Sequence, residues 1–211
     1  AWALLAVTAL AALLRFAFLD RPGVWADEAQ TYGRVNGSFY QLLEVLRFDG
    51  FAPLHYELYW FLAQRVSLEP WLLRFWPALA GTLTVPAIYF LTRQLHLPAR
   101  TSLLAASIAC CSAYLNYYSR DAKMYAPLWL FVTLSMACFL WWLNAGKNWR
   151  SASRVRWWCW IFCTTAAAGI HTPGLIVLGI QPLAMLVHRG RSWLRSLAFV
   201  LGVAVILAGP V

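Results

Sequence analysis

Apolar stretches of near-membrane length recur along this chain, at residues 1–19, 71–92, 101–118, 125–143, 157–170, 173–187 and from 196 onward. About 20 such residues, rising 1.5 Å each in a helix, cross a hydrocarbon core about 30 Å thick. A backbone in lipid must satisfy its polar groups internally, and a helix does so within one segment. The spacing therefore predicts an all-α fold, a polytopic transmembrane helical bundle, over the whole of 1–211. Charged residues are only 12% of the chain, against about 25% in an ordinary soluble domain.

The net charge of +9 raises nucleic acid as a partner. The basic residues form no single patch with interleaved aromatics, so that class is set aside. They cluster instead between apolar runs, at 93–100, 147–156 and 189–195. Lys and Arg close to span ends mark cytoplasmic loops. The segments between them, 119–123 and 171–174, then belong to the opposite, outer face. The stretch 53–66 decides the rest: at that length, with His55, Glu57 and Gln64 beside Tyr56, Tyr59 and Trp60, it reads as an interfacial helix and not a crossing. Seven crossings with a cytoplasmic N-terminus follow.

Residues 20–70 form the first outer loop, and seven of the eight carboxylates lie in it. A second interfacial helix is expected from Ser38 to Phe48, with Ser38 as N-cap and Phe39, Leu42, Leu43 and Leu46 on one face. Together the two helices would hold the loop at the level of the lipid head groups. The thirteen Trp residues cluster near span ends, as aromatic belts do. All five Cys fall in apolar runs, where a thiol acts as a small hydrophobe; Cys159 and Cys163 share a helix face but lack the further ligands a zinc site needs. Because the chain begins and stops inside apolar segments, it is expected to be the N-terminal part of a longer protein. The first run is followed by Asp20-Arg21-Pro22, which does not resemble a signal-peptide cleavage site.

Candidate chemistry gathers on the outer face. Adjacent carboxylates point in different directions, so Asp27 and Glu28 can take separate roles, one as a base and one holding a cation; the alternative is a solvated loop or a helix N-terminus that favours acids. Arg15, late in the first span, and Arg74, early in the second, either face a partner or snorkel to the interface. Their guanidinium groups suit a phosphate or the Asp27-Glu28 pair. Residues 117–125 bring Arg120, Asp121, Lys123 and Tyr125 to the outer face, against the positive-inside pattern. An anionic ligand would explain them, and so would a local ion cluster. His171 lies in the next outer turn, on the same face.

In this order, Arg15, Asp27-Glu28, Pro53-Leu54-His55-Tyr56, Leu73-Arg74, the segment 119–125 and His171 resemble the N-terminal half of GT-C fold glycosyltransferases, specifically glycosyltransferase family 39. Leu54 stands where many members have a second Pro, and Lys123 where Arg is common. The resemblance implies transfer of a sugar from a polyprenyl phosphate to a glycan, lipid or protein acceptor, on the periplasmic side of a bacterial inner membrane. It implies Asp27 as general base, attack in line with inversion, and Glu28 in support. Arg15, Arg74, His55, Tyr56, Arg120, Asp121, Lys123, Tyr125 and His171 are then expected around the donor phosphate and substrates. No resident cofactor is implied; a divalent metal is left open, and no complete ligand set is visible. A transporter or flippase of a lipid-linked anion is the rival class, but such folds show repeats and midplane charges, whereas here the charges gather at one face.

Overall fold

The computed structural model describes residues 2–21, 23–50, 52–144, 152–189 and 202. Among these residues it contains ten α-helices and no strand: α1 (Trp2–Phe16), α2 (Ala26–Val35), α3 (Phe39–Asp49), α4 (Leu54–Ala63), α5 (Pro70–Gln94), α6 (Ala99–Cys111), α7 (Ala113–Tyr118), α8 (Tyr125–Leu143), α9 (Ala152–Ile170) and α10 (Ile176–Arg189). A 3₁₀ turn, Thr172–Leu175, precedes α10. The chain is an all-α membrane protein. Among the described residues α5 and α8 are long and apolar enough to cross a bilayer. The crossing expected from 196 onward lies outside the described residues.

Helix α5 is the organising element, packed against α1, α6 and α8, with α9 on the far side of α8. Its contact with α1 and α6 is close because the residues between them are small: Ala11, Val85, Ala106 and Cys110. Gly81 allows the tightest approach, since a Cβ there would stand 1.9 Å from Ser119 Oγ and 3.0 Å from Arg15 Nε. Pro70 starts the helix, where its missing N–H costs nothing. Pro77 lies inside it and leaves the Leu73 carbonyl without a helical donor. The Tyr59 hydroxyl, from α4, donates to that carbonyl and so ties the 20–70 segment to α5. Between α8 and α9 the packing is bulkier, with Trp142 stacked on Trp160 and Phe139 beside them.

The expected helix after Ser38 is present as α3. Ser38 and Gln41 close a capping box, and Gly50 ends the helix in the left-handed conformation at φ 68°. The expected interfacial helix over 53–66 is present as α4. It turns His55, Tyr56 and Tyr59 inward and leaves Leu58 and Phe61 exposed. Two expected spans are interrupted. The run 101–118 divides into α6 and α7 at Ser112, whose extended backbone breaks the helix and whose hydroxyl caps α7 at Leu115 N–H. The run 173–187 opens as the 3₁₀ turn. Helix α2 realises the helix N-terminus weighed for Asp27 and Glu28, though its extent was not expected, because its inward stripe, Glu28, Thr31 and Val35, is mostly polar.

Among the described residues, the helix ends that border the segments assigned to opposite faces lie at opposite ends of the bundle. At one end Asn144 Nδ2 donates to Gln94 O (2.9 Å) and Arg156 to Trp141 O (3.2 Å). At the other, Thr31 Oγ1 reaches Ala122 O (3.1 Å) and Arg120 reaches Ala17 O (2.9 Å).

Candidate functional site

Asp27 and Glu28 occupy the first turn of α2, where the helix N-terminus favours acids. Their side chains part there. Glu28 is 2% exposed and takes Arg74 in a bidentate pair, Nε to Oε1 at 2.7 Å and Nη2 to Oε2 at 2.5 Å. Arg74 also donates to the carbonyls of Leu19 (2.7 Å) and Gly23 (3.1 Å). Glu28 Oε1 in turn accepts the Ala122 N–H at 3.2 Å. Since Thr31 holds the Ala122 carbonyl, the 119–124 segment is fastened to α2 through both backbone groups of one residue.

That fastening positions three of the candidate side chains. Arg120 donates to Ala17 O and Phe18 O at 2.9 and 3.2 Å. Asp121 is 3% exposed, and neither carboxylate oxygen has a hydrogen-bond partner among the described residues. Burial, with the neighbouring Glu28 carboxylate, holds its carboxyl up at about 6; Lys123 opposes this, and so does the Trp25 indole, which lies close without closing a hydrogen bond. Lys123 is buried too. Desolvation lowers its ammonium below the ordinary lysine range, with Asp27 the leading charge acting against that shift.

His55 stands edge-on to Tyr56 and Tyr59, with ring centroids 5.2 and 4.8 Å away. Burial pushes its imidazole down to about 3, and Lys123 adds to the shift, so this His is neutral at physiological pH. Tyr56, raised by burial, accepts from Arg34 Nη1 at 3.2 Å, and Arg34 pairs with Asp49 at 2.5 Å. The ring of Tyr125 meets His171 at 6.2 Å, and burial lowers the His171 imidazole.

A cavity of about 520 Å³ opens on one side of the Glu28–Arg74 pair, lined by Trp25, Asn116, Arg120 and Asp121 as well as by the pair itself. Asp27 does not line it; that carboxylate is half-buried, beside Lys123 and Tyr125. Arg15 is fully buried and stands apart from the cavity. It donates to Ser119 Oγ (3.3 Å), Ala11 O (3.2 Å) and Ala109 O (3.4 Å), which fastens α1 to α6 and to the 119–124 segment.

A family model described as dolichyl-phosphate-mannose-protein mannosyltransferase matches residues 62–180, more than half of the chain. The chain belongs to this mannosyltransferase family. The match contains Arg74, Asp121, Lys123 and His171, while Asp27 and Glu28 precede it. Protein O-mannosyl-transferase 1 of Rattus norvegicus is 30% identical over 202 residues, covering 84% of this chain and 27% of the relative. The protein of the same name from Mus musculus is 33% identical over 118 residues, covering 52% of this chain and 16% of the relative. This chain therefore spans about a quarter or less of the length of these relatives.

Within this member of the mannosyltransferase family, sequence reasoning had not singled out Trp25, Thr31, Arg34 or Asn116. Arg34 and Thr31 sit on helix α2, whose extent was not expected. Asn116 acquires its place only because α6 ends early: its Nδ2 donates to the Cys110 carbonyl left over at that break, at 2.9 Å. Among the described residues no group of three or more His, Cys, Asp and Glu converges as a metal site requires. The neighbouring carboxylates Glu28 and Asp121 do not supply one, because Arg74 already neutralises Glu28.

Proposed function

We propose that this chain is the catalytic part of a membrane mannosyltransferase that moves mannose from a polyprenyl-phosphate carrier to an acceptor hydroxyl at the outer face. The observation that carries the reading is the division of labour at the start of α2. Glu28 is locked by Arg74 and Ala122 N–H, while Asp27, next in the chain, stays half-exposed beside Lys123 and Tyr125. A locked neighbour sets the helix turn and so aims Asp27. The family match and the mannosyltransferase relatives support the reaction class.

In this mechanism Asp27 takes the proton of the acceptor hydroxyl as its oxygen attacks the anomeric carbon. The bond from that carbon to the phosphate oxygen breaks, the configuration inverts, and polyprenyl phosphate leaves with the electron pair. The proton then passes from Asp27 to solvent. Charge grows on the departing phosphate, and a preorganised cation there lowers the barrier. Lys123 suits that role better than Arg74 or Arg15, whose guanidinium groups are engaged by Glu28 and by backbone carbonyls. Glu28 is a positioning residue.

Asp27→Asn in the full-length protein, assayed with mannosyl phosphoryl polyprenol, should lose on the order of 10²–10⁴ in turnover. Donor binding should change little, and the variant should melt like the wild type. Near-normal turnover by the folded variant would remove Asp27 as the base.

A further inference from the structure

The cavity beside the Glu28–Arg74 pair lies where the spanning helices reach one membrane surface. Arg74 is in the first turns of α5, Asp121 precedes α8, and Arg120 holds the Ala17 and Phe18 carbonyls just past the end of α1. Three oxygens around it, both of Asp121 and Oδ1 of Asn116, are buried without a hydrogen-bond partner among the described residues, and all are acceptors. Lys123 is near enough to act on the Asp121 charge but makes no hydrogen bond to it. The Asn116 amide orientation is set by Nδ2, which donates to the Cys110 carbonyl. Arg120 offers the opposite charge: both of its hydrogen bonds leave from Nη2, so Nε and Nη1 remain for an anion. Glu28 and Arg74 neutralise each other. An occupant therefore meets one carboxylate and one guanidinium, a pattern that matches a zwitterion better than a lone anion or a lone cation. The rim is aromatic: Trp25 and Tyr117 line the cavity and are exposed, as Trp and Tyr are at the level of lipid head groups. Next to it, α1 exposes Leu13, and α6 exposes Leu104 and Ile108.

We propose that this cavity binds the head group of a membrane phospholipid of the phosphatidylethanolamine class, its primary ammonium donating to Asp121 and Asn116 and its phosphate accepting from Arg120. A primary ammonium carries three N–H donors, and three acceptor oxygens lack partners. The rings of Trp25 and Tyr117 would also suit a quaternary ammonium, but that group donates no hydrogen bond and would leave all three oxygens unsatisfied. A lipid is favoured over a soluble zwitterion because the mouth is aromatic and adjoins helices whose exposed apolar residues acyl chains can follow. Leaving a buried carboxylate unpaired is costly to the fold, and a lipid of the surrounding bilayer removes that cost. The site goes beyond the mannosyltransferase reading and uses neither Asp27 nor turnover.

The test titrates the full-length protein in detergent with short-chain phosphatidylethanolamine, its N,N-dimethyl derivative and phosphatidylcholine of the same chains, reading Kd and the rise in Tm. Wild type should bind the primary ammonium lipid about tenfold more tightly than the choline lipid, the equivalent of one hydrogen bond to a charged group, with the dimethyl lipid between them. Asp121→Asn should lose most of that preference while its affinity for the choline lipid stays near wild type. Arg120→Gln should weaken all three lipids alike and keep the preference, because it touches only the phosphate. Equal affinities for wild type, or a tighter choline lipid, would overturn the proposal without any variant having to fold. So would a preference that survives in Asp121→Asn. Glycerophosphoethanolamine, the same head group without acyl chains, should bind at least about tenfold more weakly than the lipid, because it buries no hydrocarbon; equal affinity would make the occupant a soluble zwitterion and overturn the lipid assignment. A protein that transfers no mannose yet shows the preference and its loss in Asp121→Asn would uphold this site and sink only the mannosyltransferase reading.

Discussion

Two buried polar clusters in this molecule are built to opposite rules. Between α8, α9 and α10, Ser135 and Thr164 share a hydrogen bond of 2.6 Å, Gln181 Nε2 donates to Ser135 Oγ at 2.7 Å, and Trp160 Nε1 donates to Gln181 Oε1 at 2.8 Å. Every member is neutral and each has a partner within the cluster. At the end that carries α2, Glu28 and Arg74 are fully paired, but Asp121 and Asn116 beside them retain buried acceptor oxygens with no hydrogen-bond partner among the described residues. Interiors rarely leave polar atoms unmatched, so the satisfied cluster reads as a fastening of three helices and the unsatisfied one as a place prepared for something else.

The comparison can be broken most sharply at Arg74. Arg74→Ala leaves Glu28 buried without its counter-charge, and should destabilise the fold by about 3–5 kcal/mol in a thermal or denaturant melt. Replacing both residues by Met should restore much of that stability while leaving activity low, because the aim of Asp27 is lost. A single variant as stable as wild type would show that the pair is not the fastening described here.

Gln181→Leu probes the other cluster. It strands the Trp160 N–H while Ser135 and Thr164 can still bond to each other, so the loss should be smaller, about 1–2 kcal/mol. Turnover per folded molecule should stay near wild type. A selective loss of turnover at unchanged stability would make the inner cluster functional and erase the distinction.

The mildest perturbation asks which end of the bundle is outside. In a cysteine-free background, Glu44→Cys and Thr172→Cys, both at exposed positions at the cavity end, should react with an impermeant thiol reagent in intact cells. Arg100→Cys, exposed in the first turn of α6, should not. Labelling in the reverse pattern would move the unsatisfied cluster to the cytoplasmic face and remove an outer-face reaction.

Much of this architecture was legible because it is local. Hydropathy located α5 and α8, and Ser38 ahead of the face of Phe39, Leu42, Leu43 and Leu46 announced the start of α3. The Asp27-Glu28 pair and the charged segment at 120–123 stood out because charges are costly near a membrane and therefore few. The family resemblance joined them in order. What the residues could not reveal is which charges meet. Arg74 is 46 positions from Glu28, and Glu28 is 94 from Ala122; no period or spacing encodes bonds of that range. The extent of helix α2 was not legible because polar residues form its inward stripe. For Arg74 the sequence left a phosphate and the Asp27-Glu28 pair both open, and folding brings it to Glu28, while Arg15 meets backbone carbonyls and Ser119. The sequence by itself determined that this chain is a membrane-embedded helical protein with its acids at one end. Tertiary packing alone decided which of those acids is locked, which is half-exposed and which is left unpaired, because desolvation and pairing depend on neighbours that only the folded chain brings within a few ångströms.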